Sequence, residues 1–170
     1  VEVTIGYRPE PDSGAFSYAS TAAVVAVDPD LGSIEILDYL AVEDCGRMVN
    51  PLIVAGQIIG GTAQGIGTAL YEESPYSDTG QPLATTFVDY TMPGTTELGA
   101  IRIEHMETPS PFTEFGIKGV GESGAISPPA TIANAINDAL GTMGVELCEA
   151  PMTPRRVLTA IQNARRNGKA

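Results

Sequence analysis

The sequence predicts an α+β fold: an antiparallel or mixed sheet with a β-hairpin near the N-terminus and helices packed against it. Three observations carry this expectation. Two β-branched runs flank one turn, Asp28-Pro29-Asp30-Leu31-Gly32; helical patterns open on a capping residue followed by proline; and strands and helices do not alternate strictly, as a parallel sheet requires.

Residues 1–18 read as an N-terminal arm, extended at Val1 to Ile5 and turn-rich from Arg8 to Gly14. Thr21 to Val27 is a β-branched and alanine run, and Ser33 to Val42 nearly alternates, so the two form a hairpin with a longer loop. Asn50-Pro51 caps and starts a helix, and Ile53 to Leu70 carries no charge. Length alone admits a membrane span. However, Gln57, Thr62 and Gln64 are polar, and five glycines each weaken the helix by about 1 kcal/mol against alanine. The stretch is therefore expected to be buried in protein, with glycines at 56 and 60 and at 61 and 65 admitting another backbone or a flat ligand. Burial implies partners for both glutamine amides. Neighbouring main chain and a bound ligand are equally good candidates on the pattern alone.

Residues 74–82 form a polar turn region, Thr85 to Tyr90 a short strand, and Ile101 to Met106 a better one. The lone histidine, His105, lies on that strand and reads as structural rather than catalytic. Pro128 to Met143 is a helix with Ile132, Ile136, Ala139, Leu140 and Met143 on one face. Val145 to Leu147 is a brief strand. Thr153 caps a last helix that runs from Pro154 to about Ala164, and residues 166–170 form a frayed tail.

The bulk numbers exclude some functions. With 9 basic and 21 acidic residues in 170, the net charge is −12, which disfavours nucleic acid and anionic membrane surfaces. Cys45 and Cys148 form no metal-ligand cluster with His105, and no protein ligand to a metal is expected. A disulfide between them is possible, but two buried thiols in a reducing compartment are the default. No signal peptide is visible, so the location reads as cytoplasmic. The chain opens at Val1 without an initiator methionine, as if cut from something longer.

The chemistry concentrates in Gly116-Ile117-Lys118-Gly119-Val120-Gly121-Glu122-Ser123-Gly124-Ala125-Ile126-Ser127-Pro128-Pro129. Glycines let main chain approach a ligand closely, and Glu122 is the only acid among them. Ser127 is expected to cap the helix that Pro128 begins. Gly119, Gly121 and Gly124 also spell G-x-G-x-x-G, the dinucleotide fingerprint. Its context is wrong: the preceding residues are proline-broken and polar, and the helix is expected to begin about four residues late.

Two stretches together resemble one family. Asp44-Cys45-Gly46-Arg47-Met48-Val49-Asn50-Pro51, running into Gly56-Gln57 and on to Gly67, is the first; Lys118-Gly119-Val120-Gly121-Glu122, continuing to Ser127-Pro128-Pro129, is the second. Both look like the C-terminal part of the molybdopterin-binding large subunit of the xanthine oxidase family of molybdenum hydroxylases, carbon monoxide dehydrogenase-like or aldehyde oxidase-like. Thr108-Pro109-Ser110-Pro111 and Pro151-Met152-Thr153-Pro154-Arg155-Arg156-Val157 also fit.

The resemblance implies a second-molybdopterin-binding-domain-like fold over residues 19–165. It implies Glu122 as the catalytic base beside molybdenum, Gln57 as a cofactor hydrogen-bonding group, and Lys118, Gly119, Val120 and Gly121 as cofactor contacts through main chain; Gln64 transfers more weakly. The implied cofactor is molybdenum-molybdopterin, the cytosine dinucleotide being one form. Implied partners are the rest of the large subunit, an iron–sulfur subunit, an FAD subunit and a small-molecule substrate (an aldehyde, an N-heterocycle or carbon monoxide). Alone, the chain is expected to be inactive. Two alternatives stand beside this: a non-catalytic cofactor-holding or subunit-assembly module of the same fold, and an unrelated domain binding phosphate at the helix after Ser127.

Overall fold

A computed structural model describes residues 2–6 and 14–168. Two long strands, β1 (Tyr18–Val27) and β2 (Ile34–Asp44), pair antiparallel from Tyr18 opposite Asp44 to Val27 opposite Ile34, with a bulge at Val24/Val25. The turn between them uses Asp28 Oδ1 to accept from the N–H groups of Asp30 and Leu31. A third strand, β3 (Ile101–His105), adds to β2 in parallel, giving the mixed order β1-β2-β3. Parallel pairing needs a crossover. It is supplied by α1 (Pro51–Leu70), the irregular 71–94 region and the single turn α2 (Thr95–Leu98).

Asn50 caps α1 as its sequence predicts, its Oδ1 accepting from the N–H groups of Leu52 and Ile53. Thr153 likewise caps α5 (Pro154–Arg166) through Arg156 N–H. Between them lie α3 (Ser123–Ile126) and α4 (Pro128–Gly141). The core joins one sheet face to the helices: Tyr39 and Ala41 from β2, Ile58 and Ile66 from α1, Ile132, Ile136 and Leu140 from α4, and Val157 and Ile161 from α5.

Several expectations need correction. Residues 85–90 form turns rather than a strand, bent by the Thr86 hydroxyl bonded to Asp89 and by Tyr90 N–H to Thr86 C=O. Residues 145–147 are not a strand either, because Asn137 takes both main-chain groups of Leu147. Ser127 does not cap α4 with its side chain: it is already αR (φ −79°, ψ −37°), since the chain arrives helical from α3. Cys45 is buried but Cys148 is exposed, and both are free thiols. The last helix extends to Arg166, past the expected end at Ala164. The turn expected from Arg8 lies mostly outside the described residues, as do Lys169 and Ala170 of the tail. Among the described residues no helix is long and apolar enough to cross a membrane.

Candidate functional site

α1 is buried on one side only, which corrects the expectation of full burial. Val54, Ile58, Gly61, Thr62, Gly65 and Ile66 face protein, whereas Gly56, Gln57, Ile59, Gly60 and Gln64 are exposed. The two glycine pairs therefore divide their work. At Gly61 the helix meets α3 so closely that a Cβ would lie 2.9 Å from Ala125 N, and a Cβ on Gly124 would lie 2.6 Å from the Ile58 carbonyl oxygen. Only glycine at both positions permits this contact. Around Gly56 and Gly60 a Cβ would meet nothing within 4 Å, so that stripe of α1 is open.

The α1–α3 contact sets the position of Lys118–Glu122. Gln57 Nε2 donates to the carbonyl of Gly121 at 3.2 Å, bringing the predicted glutamine and the residue before Glu122 together. Glu122 itself is exposed at the start of α3, its C=O accepting from Ala125 N–H at 3.0 Å. Among the described residues, no protein acceptor satisfies the N–H groups of Gly119, Val120 and Gly121. Three free donors, an amide and a carboxylate thus share one exposed rim, beside the open side of α1. A polar, partly anionic ligand with a flat body fits that donor set. The Gln64 side chain is exposed, and its main-chain carbonyl accepts from the Thr68 hydroxyl at 3.2 Å.

Lys118 behaves differently from the residues after it. Its N–H donates to the Cys45 carbonyl at 2.8 Å, and its side chain turns inward to Asp44 Oδ1 at 3.1 Å. The two side chains are 7% and 0% exposed, so this is a buried ion pair. It is extensively hydrogen-bonded, which a buried pair needs if it is to be stable. Gly46 N–H donates to Asp44 Oδ1 (2.8 Å), and Thr108 donates to Oδ2 through both its N–H (2.9 Å) and hydroxyl (2.6 Å). The Thr108 oxygen in turn accepts from Lys118 Nζ (2.9 Å) and from Tyr18 (2.6 Å), and Nζ sits 4.5 Å from the Tyr18 ring centroid. Burial pushes the Asp44 carboxyl up, but the bonds from Thr108, Gly46 and Lys118 outweigh it and hold Asp44 well below the usual carboxylate range.

Sequence reasoning placed Asp44 and Thr108 inside recognisable stretches but did not assign them this anchoring role, and it missed Tyr18. It also passed over Glu43. That residue shares a strand face with Tyr39 and Ala41, and a carboxyl on a core-facing strand position was the available signal. His105 ends β3 exposed and takes no part in the rim. A cavity of about 290 Å³ runs beside the loop between Cys45, Asn50, Ile53, Ile117, Lys118 and Val120. The larger cavity, about 600 Å³, lies between residues 146–149 and α5 and touches none of these groups.

The G-x-G-x-x-G reading is excluded by the first of its two expected grounds and not by the second. A one-turn helix, α3, does open inside the motif. What is missing is the strand before it: Glu114–Gly116 is a single 3-10 turn with Phe115 at φ 61°, and Ile117 forms only an isolated bridge to Gly46.

The chain is similar to known proteins over most of its length. The family described as "Molybdopterin cofactor-binding domain" matches residues 4–99, which include Gln57 and end before Lys118. The large subunit of nicotine 6-hydroxylase from Paenarthrobacter nicotinovorans is 46% identical over 147 residues, covering 86% of this chain and 18% of that protein. The carbon monoxide dehydrogenase large chain of Hydrogenophaga pseudoflava is 31% identical, covering 90% of this chain and 19% of its own. In structure, quinoline 2-oxidoreductase from Pseudomonas putida 86 superimposes with a TM-score of 0.81 at 49% identity, over 84% of this chain and 18% of that one. The chain thus spans about a fifth of the length of these relatives.

Proposed function

The chain belongs to the molybdopterin-binding large subunits of the xanthine oxidase family of molybdenum hydroxylases, and from that premise we propose that it supplies the catalytic base Glu122 and one wall of the cofactor cleft. The observation that carries this reading is the rim formed where Gln57 Nε2 meets the Gly121 carbonyl, beside three free N–H donors and the exposed Glu122 carboxylate.

In this reading Gln57 and the N–H groups of Gly119, Val120 and Gly121 hold the pterin cofactor, whose cytosine dinucleotide is one form. Lys118 contributes by anchoring the loop through Asp44 rather than by its own N–H, which Cys45 occupies. The bound molybdenum supplies oxidising power and a water-derived oxygen for a carbon–hydrogen bond of the substrate. Glu122 stands on a loop fixed at both ends and takes a proton from the group that attacks, as a general base must from within hydrogen-bond reach. The open stripe at Gly56 and Gly60 leaves room for a flat group against α1.

Substrate is proposed as an aromatic N-heterocycle. Two relatives at 46% and 49% identity are named for nicotine and quinoline, both such rings, against 31% for the carbon monoxide enzyme. Because the chain spans about a fifth of these relatives, the remaining large-subunit segments and the iron–sulfur and FAD subunits are proposed as partners that complete the site and carry electrons away. Alone the chain is inactive, in a cytoplasmic setting.

The test is the assembled enzyme, assayed for bound molybdenum and for dye reduction with N-heterocycles, aldehydes and carbon monoxide. Gln57→Ala is expected to lower molybdenum retention, and turnover is expected with N-heterocycles. Full retention in Gln57→Ala would remove that residue from cofactor binding. An assembled complex without molybdenum would favour a scaffold role instead.

A further inference from the structure

Beneath α3, on the side away from the rim, lies a group the proposed mechanism does not use. Glu43 is 1% exposed on β2, and neither carboxyl oxygen has a hydrogen-bond partner. No lysine or arginine among the described residues pairs with it, and Lys118 is committed to Asp44. An ionised carboxylate in such a place is strongly disfavoured. Its polar neighbour is Ser123, also buried, which immediately follows Glu122. The Ser123 hydroxyl donates its one proton to the carbonyl of Val120 at 3.3 Å, closing the Val120–Ser123 turn. Its oxygen therefore still has accepting capacity, which a protonated carboxyl can fill without taking the proton from Val120 and an ionised one cannot. Desolvation raises the Glu43 carboxyl above its ordinary range and outweighs the lowering effect of the nearby Ser123 hydroxyl.

We propose that Glu43 is a positioning residue for the catalytic loop: as the neutral acid it donates to Ser123 Oγ, so that Ser123 keeps its bond to Val120 and Glu122 is presented in one orientation. The inference rests on the reading of Glu122 as base. It gives the loop two different anchors from adjacent residues of one strand. Asp44, ionised, holds Lys118 at the loop's start, and Glu43, neutral, holds Ser123 at its end. Tyr39 and Cys45 are the other titratable groups near Glu43, and the buried Tyr39 hydroxyl is also without a partner.

The test compares wild type, E43Q and E43L in the assembled, molybdenum-loaded enzyme, using the substrate from the panel above that turns over. Glutamine keeps an N–H donor for Ser123 and leucine does not. The expected result is kcat within about threefold of wild type for E43Q and about ten- to a hundredfold lower for E43L, with KM and bound molybdenum unchanged. In addition, isotope-edited infrared spectra of ¹³C-glutamate wild type at neutral pH are expected to show a protonated carboxyl band that E43Q lacks. Unimpaired E43L, equal losses in E43Q and E43L, or no protonated band would each overturn the proposal. If E43L fails to assemble, the infrared spectrum decides alone, presence of the band supporting and absence overturning. E122Q run in parallel separates the two readings. An active E122Q removes the base and leaves the infrared result standing, whereas an inactive E122Q with unimpaired E43L sinks only the Glu43 assignment.

Discussion

Glu43 and Asp44 are consecutive residues of β2, each 1% exposed, and their carboxyls meet opposite environments across the strand. Asp44 receives bonds from Thr108, Gly46 and Lys118; Glu43 receives none. Strand alternation sends one to each face.

The pair should therefore leave opposite marks on stability against pH. Asp44 is depressed in the folded state, so its contribution is complete above its ordinary value of 3.8 and is lost as pH falls towards the lower folded value. Glu43 is raised, so the unfolded chain releases its proton first and stability declines as pH climbs above 4.5 towards the folded value. Tyr39 and Cys45, the other titratable groups near Glu43, are both pushed up by burial and stay neutral through this window. In thermal unfolding of the assembled enzyme, Asp44→Asn is expected to flatten the acid limb and Glu43→Gln the decline above 4.5. An unchanged slope in Glu43→Gln would mean that Glu43 ionises normally.

Removing one partner of the buried pair should cost far more than a surface ion pair does. Lys118→Met leaves the Asp44 charge buried, and a loss of about 3–5 kcal/mol is expected. By contrast Arg102→Ala, which breaks the exposed bond to Asp38, should cost far less, because solvent screens an exposed pair. Denaturant titration of both variants checks the ranking, and equal costs would contradict it.

The glycines of α1 should separate stability from function. Gly61→Ala forces its Cβ against the α3 backbone and is expected to destabilise by about 1–3 kcal/mol. Gly60→Ala meets open space and should stabilise the helix by roughly 1 kcal/mol, while lowering molybdenum content if the cofactor lies on that stripe. Metal analysis beside a melting curve reads both. Gly60→Ala that is stable and fully loaded would move the cofactor off this face.

Much of the fold was legible because its signals are local. The Asp28–Gly32 turn, the Asn50-Pro51 and Thr153-Pro154 caps and the apolar face of α4 each act within a few residues. The failures were equally physical. Residues 85–90 have strand-forming composition, but hydroxyl and main-chain bonds at Thr86 bend them. Ser127 resembles a cap, yet α3 delivers it already helical. The site divides the same way. Gln57 and Glu122 lie in recognisable stretches, whereas the bond from Gln57 to Gly121, the Asp44 network and the isolation of Glu43 depend on contacts between distant segments. No spacing rule reports those.

If Glu122 is the base of a hydroxylation site, turnover depends on its carboxylate and metal binding does not. The direct measurement is turnover of the assembled enzyme with Glu122→Gln against wild type, with bound molybdenum measured in both. Equal molybdenum and a fall in kcat of at least about a hundredfold are expected, in the range general-base removal produces. Equal metal with wild-type turnover would contradict it, and Glu122 would then be a loop residue with no part in the chemistry.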